Sequence, residues 1–85
     1  MWFNDAPGLG AQLRAQRRAR GLTQDELATL AQISRRTLIS IEQGKSAELS
    51  KVFAVLRTLG LRMSIEPEPH GGFSLRSLEQ ETDPL

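Results

Sequence analysis

Residues 23–44, TQDELATLAQISRRTLISIEQG, constrain this chain more than any other stretch. A Thr followed three residues later by Glu is the signature of a capping box: the hydroxyl accepts from the amide three residues on, and the carboxylate reaches back to the capping residue. Thr23 and Glu26 fit that pattern and predict a helix over 24–31. Leu27, Leu30 and Ala31 form its inward face, and Ala28 is small enough to let another helix approach. Gln32 and Ile33 form a turn, and Ser34 caps a further helix over 35–43 that ends at Gly44. Leu38 and Ile41 face inward, while Arg35, Arg36, Ile39, Ser40 and Gln43 point elsewhere. Two short helices with a tight turn, the second opening on two arginines, have the form of a helix-turn-helix.

The flanks supply what so short a unit needs to fold. Asp5 caps a first helix over 6–20, with Pro7 in the first turn, where proline is tolerated. Leu9 and Leu13 share a face, Arg14, Arg17, Arg18 and Arg20 load its second half, and Gly21 stops it. Gly8 and Gly10 weaken its opening turns by about 1 kcal/mol each relative to Ala. Ser46 is the expected cap of a fourth helix with Leu49, Val52, Phe53, Leu56 and Leu59 on one stripe, ended by Gly60. The period then changes. Leu61, Met63 and Ile65 alternate with Arg62, Ser64 and Glu66 until Pro67, which predicts a strand. A lone strand is unstable in water, so it needs a partner. The preferred one is the same strand of a second copy, which makes Leu61, Met63 and Ile65 dimerisation residues. The alternatives are Trp2-Phe3 and a hairpin with residues 73–75. The division is an arm over 1–5, a helical domain over 6–60, a strand over 61–66 and an acidic tail over 67–85, whose local structure stays open among helix, strand and disorder.

Composition narrows the chemistry. With no Cys, disulfides and thiolate metal sites are excluded. The sole His, His70, sits beside Gly71-Gly72 in a linker, and no paired carboxylates, phosphate-cradling glycine loop or metal spacing appears. No enzyme, cofactor or metal is therefore expected. There is no membrane-length apolar run and no signal-peptide pattern, so a soluble cytoplasmic protein is expected. Residues 1–62 hold ten Lys or Arg against five acids, and residues 63–85 hold one Arg against five. A basic body calls for an anionic partner, and the tail for another role.

A helix-turn-helix lays its second helix in the major groove, with the cap, the first turn and the next outward turn reaching base edges. That geometry selects Ser34, Arg35, Arg36 and Ser40, with Thr37 and Ile39 beside them. Arg36 and Ser40 are the expected base readers; Arg35 reaches a base or a phosphate, and Ile39 packs on a thymine methyl. Gln24 at the start of the preceding helix and Lys45 after the reading helix are expected on phosphates. Arg17 and Glu42 are expected to pair and to fix the reading helix against the first one.

Thr23-Gln24, Glu26-Leu27-Ala28, residues 34–41, and Glu42 followed by Gly44 together resemble the Cro/CI-type (xenobiotic-response-element) helix-turn-helix family. The resemblance covers roughly residues 8–60. It implies an all-α, lambda-repressor-like bundle of four or five helices, here with one C-terminal strand, and a dimeric, sequence-specific DNA-binding repressor. By position in the motif, Gln24, Ser34, Arg35, Arg36 and Ser40 take the DNA contacts, and Arg17 and Glu42 the structural ion pair. The ending LRTLGLRMSIEPE is similar to that of HipB-like antitoxins, which implies a palindromic operator and a HipA-type kinase toxin as partner. A stand-alone or phage-type regulator shares every DNA residue named, and a protein-interaction adaptor that does not bind DNA is the third reading. Two positions depart from the family: Gln32 stands where Gly is frequent, and Ile39 where polar residues are common.

Overall fold

Among the described residues four helices enclose one apolar core: α1 (Ala6–Ala19), α2 (Gln24–Ala31), α3 (Arg35–Glu42) and α4 (Leu49–Thr58). The computed structural model describes residues 2–67. Each of the first three helices starts where a short polar side chain satisfies an orphan amide. Asp5 Oδ1 accepts from the Gly8 amide at 2.8 Å, Thr23 Oγ1 from Glu26 at 3.0 Å, and Ser34 Oγ from Thr37 at 3.0 Å. Glu26 completes the box by accepting from the Thr23 amide at 2.8 Å. That bond holds the Glu26 carboxyl below its ordinary pKa. A depressed carboxyl stabilises the fold above its unfolded pKa, and this contribution fades as pH falls through the folded value, so acid loosens the start of α2.

The helix ends follow the left-handed residues. Gly21, Gly44 and Gly60 have φ of +69°, +76° and +73°. The helices α1 and α3 therefore stop one residue short of the predicted 20 and 43, with Arg20 and Gln43 as C-caps. Gln32 is the one non-glycine residue in this region among the described residues, at φ 60° and ψ 42°. Its backbone lets the Ile33 amide return to the Ala28 carbonyl at 3.0 Å and turns the chain into α3. An L-residue with a Cβ is strained there by about 1–2 kcal/mol. Gln32→Gly is expected to raise stability by up to about 1 kcal/mol, because glycine's greater unfolded-state freedom cancels part of the relief. A lower urea midpoint for that variant would contradict the assignment of strain.

The core comprises Leu13, Leu27, Ala28, Ala31, Leu38, Ile41, Val52, Val55, Leu56 and Leu59. It corrects three expected positions. Leu30 is 60% exposed, Leu49 63% and Phe53 38%, whereas Val55 is fully buried. At about 100° per residue, Leu27, Ala31 and Ala28 span the inner arc of α2, and Leu30 falls beyond it. On α4 the arc runs through 52, 55, 56 and 59, which leaves 49 and 53 at its edge. The expected Ser46 cap is not used either. The helix opens after Glu48, and no side chain caps it.

Among the described residues there is no strand. Residues 61–67 form no ladder with any other described residue, Trp2-Phe3 included, and without a ladder no strand forms. The expected alternation survives in part as burial: Leu61 and Met63 pack on the core, Arg62 and Ser64 are exposed, and Ile65 is almost wholly so. The hairpin with residues 73–75 and the structure of the tail lie outside the described residues. No described helix is long and apolar enough to cross a membrane.

Candidate nucleic-acid interface

The position of α3 is set by what lies beneath it. Leu38 and Ile41 turn into the core, and Glu42, on the same inner side, meets α1. Arg17 grips Glu42 with two bonds, Nε to Oε2 at 2.7 Å and Nη2 to Oε1 at 3.0 Å. Its remaining nitrogen, Nη1, donates to the Leu22 carbonyl at 2.9 Å, which ties the α1–α2 connection into the same node. Both side chains are buried, at 9% and 3% exposure. The hydrogen bond to Glu42 raises the Arg17 guanidinium pKa above its already high value, against the opposing effect of burial. Bidentate pairing fixes orientation as well as distance, so α3 is held against α1 at a set angle.

Gln24 joins this node, with Nε2 donating to Glu42 Oε1 at 3.2 Å. Glu42 thus accepts three bonds, and the residue expected on a phosphate is anchored from behind. This link is not legible in the sequence. It requires knowing that the first turn of α2 and the last turn of α3 adjoin, which spacing alone does not reveal.

The outward side of α3 carries the predicted contacts. Ser34, Arg35 and Arg36 are exposed; Thr37, Ile39 and Ser40 are half-buried. The Ser34 hydroxyl donates to Thr37 Oγ1 at 2.8 Å, so these two side chains stiffen the first turn. Arg36 and Ser40, four apart, share a face and line one open cleft of about 260 Å³ with Thr37, Ser46, Glu48 and Lys51. Arg35 turns the other way. Its Nε lies 3.5 Å from Asp25 Oδ1, an exposed pair that water and phosphate can readily compete with. Lys45 is exposed just after α3, and its amide is bonded to the Ser40 carbonyl at 2.9 Å. The proposed dimerisation residues lie elsewhere. Leu61 and Met63 border an apolar groove with Phe3, Leu9, Leu13 and Leu56, and Ile65 projects into solvent.

No group of three or more potential metal-ligating side chains occurs among the described residues. The chemistry available on this surface is hydrogen bonding and cationic charge presented by a rigidly held helix.

Comparison with known proteins places this geometry. The helix-turn-helix family profile matches residues 13–65. The chain is 41% identical over 58 residues to an uncharacterized HTH-type transcriptional regulator, y4mF, of Sinorhizobium fredii (strain NBRC 101917 / NGR234), covering 67% of this chain and 76% of that one. Among solved structures, it is similar to a chain of the HipA-HipB-O2-O3 complex, with a TM-score of 0.72, 25% identity, and coverage of 79% of this chain and 96% of that one. It is also similar to the restriction-modification controller protein C.AhdI from Aeromonas hydrophila, with a TM-score of 0.63, 28% identity, and coverage of 67% and 88%. The buried Arg17–Glu42 node, the capped α2–turn–α3 unit and these matches agree: the chain belongs to the Cro/CI-type (XRE) helix-turn-helix family of DNA-binding transcriptional regulators.

Proposed function

We propose that this protein is a dimeric repressor that binds a palindromic operator upstream of its own gene, and that it is the antitoxin of a HipA-type kinase toxin encoded beside it. The observation that carries the DNA half is the pairing of Arg36 and Ser40 on the open face of a helix whose back is locked by Arg17 and Glu42. Arg36 pairs with a guanine edge, Ser40 and Ile39 read the neighbouring base pairs, and Arg35 exchanges Asp25 for a phosphate or base. Gln24 and Lys45 hold the backbone on either side, and Ser34 and Thr37 keep the first turn of α3 in register. Two copies, joined through Leu61, Met63 and Ile65, present their reading helices about 34–36 Å apart, one turn of the double helix.

The antitoxin half is supported by the fold match to a chain of the HipA-HipB-O2-O3 complex, which extends over nearly the whole of that chain. The second reading, a regulator without a toxin, is favoured by the likeness to C.AhdI, a restriction-modification controller. Co-purification of a kinase-like neighbour with the tagged protein separates the two.

The reading head has a direct test. Arg36→Ala is expected to weaken binding to the upstream region by about 10- to 100-fold, equivalent to about 1–3 kcal/mol of lost base pairing. The loss is expected to be much smaller on random-sequence DNA. Equal losses on both duplexes would make Arg36 a phosphate contact, and no loss would remove it from the interface.

A further inference from the structure

Two arginines of α1 have no role in the node or on the reading helix. Arg14 and Arg18 are four apart, so they share a helix face, and both are exposed. Among the described residues neither has an ion-pair partner; the pairs present there are Arg17 with Glu42 and Arg35 with Asp25. They line an open, polar cleft of about 420 Å³ bounded by α1, the start of α2 and the first residue of α3, Arg35. Asp25 is the acid in this cleft, and Arg35 already engages it. The cations left to attract an anion there are Arg14 and Arg18.

The cleft beneath Arg36 and Ser40 has a matching feature. It is also lined by the 46–48 segment, with the acid Glu48, and by Lys51 of the first turn of α4. The two clefts share no lining residue, and Arg35 and Arg36 mark the boundary between them. The reading helix therefore lies between two troughs, one lined by Arg14 and Arg18 and the other by Lys51 with the acid Glu48, none of which belongs to the helix-turn-helix. A helix in a major groove about 12 Å wide is bordered on both sides by phosphate backbone.

We propose that Arg14 and Arg18 on one side and Lys51 on the other seat the two phosphate strands that border the groove entered by α3. The troughs supply sequence-independent attraction, and Arg36 and Ser40 supply the base preference. This inference rests on the DNA-binding reading above, and the test separates failure of one from failure of the other.

Each phosphate contact contributes about 0.9 to the slope of log K against log salt on duplex DNA. Binding of the full chain to its upstream region and to a random-sequence duplex, measured across a salt series, reads that slope. The double variant Arg14→Gln/Arg18→Gln is expected to flatten it by about 1.8, and Lys51→Gln by about 0.9. In both, the ratio of the two affinities is expected to stay within about twofold of wild type, because phosphate contacts carry no sequence information. Arg57→Gln is the control: Arg57 is exposed near the end of α4 and lines neither trough, so its slope is expected to be unchanged. An unchanged slope in either trough variant, an equal flattening by Arg57→Gln, or a lost affinity ratio overturns the proposal. Absence of DNA binding by the wild-type chain overturns the DNA-binding reading itself.

Discussion

Glu42→Ala is expected to remove about 3–5 kcal/mol of folding stability, the cost of leaving a buried charge without its partner. The change strips two bonds from Arg17 and one from Gln24 at once. Arg17, with a side chain only 9% exposed, is left with the Leu22 carbonyl as its hydrogen-bond partner among the described residues. A domain of this size has on the order of 5–10 kcal/mol in total, so the variant is expected to be largely unfolded in moderate urea. Chemical unfolding followed by circular dichroism measures the difference. The pair's net value is a separate quantity. Arg17→Met with Glu42→Leu replaces it by apolar groups of similar size and is expected to recover most of the loss. If that double variant is as unstable as Glu42→Ala, then packing around the node, and not the orphaned charge, sets the cost. Wherever the double variant folds, its DNA affinity reports how much the bidentate geometry contributes to aiming α3.

The second large effect runs against helix propensity. Gly10 lies in the interior of α1, where Ala is ordinarily better by about 1 kcal/mol. Here Gly10→Ala is expected to destabilise by about 1–3 kcal/mol, in the range of overpacked cores. A Cβ at Gly10 would stand 2.5 Å from the Glu42 carbonyl oxygen and against that of Ile41. Both obstacles are backbone atoms, so the clash cannot be relieved by a rotamer change. The helices must separate, and separation strains the Arg17–Glu42 node about two turns along the same face of α1. Thermal unfolding of Gly10→Ala decides the matter: a midpoint at or above wild type would mean that α1 and α3 have room to spare.

These two residues show where the sequence informs and where it does not. Gly10 in isolation is a weak position in a helix. Its actual role, letting α1 lie directly on the C-terminal turn of α3, depends on Ile41 and Glu42, far along the chain, and has no local signature. Arg17 and Glu42 suggest an ion pair only through their places in two amphipathic patterns. That Gln24 and the Leu22 carbonyl complete the node emerges only once four segments are packed together. Leu30, Leu49 and Phe53 fit helical stripes yet stand at the edge of the core, because a stripe gives the apolar face of a helix but not the width of that face a neighbour covers.

The reading face repeats the lesson. Arg35 and Arg36 are adjacent and chemically identical, and the sequence separates them only by the helical spacing that puts Ser40 beside Arg36. Packing sends Arg35 to Asp25 and the α1 cleft, and Arg36 to the cleft shared with Ser40 and Lys51. Arg14 and Arg18 likewise read as favourable charges near a helix C-terminus until the fold brings them to the rim of that first cleft.

Within residues 6–60 the sequence by itself determined four helices, the starts of the first three, the stops of those three to within one residue, and the turn at Gln32. Those features are governed by caps, glycines and periodicity within a few residues, and local hydrogen bonding is enough to specify them. The tertiary structure decided how α3 is held and which cations flank it. Burial, close backbone approach and the sharing of one carboxylate among three donors are properties of segments distant along the chain, and only packing makes them neighbours.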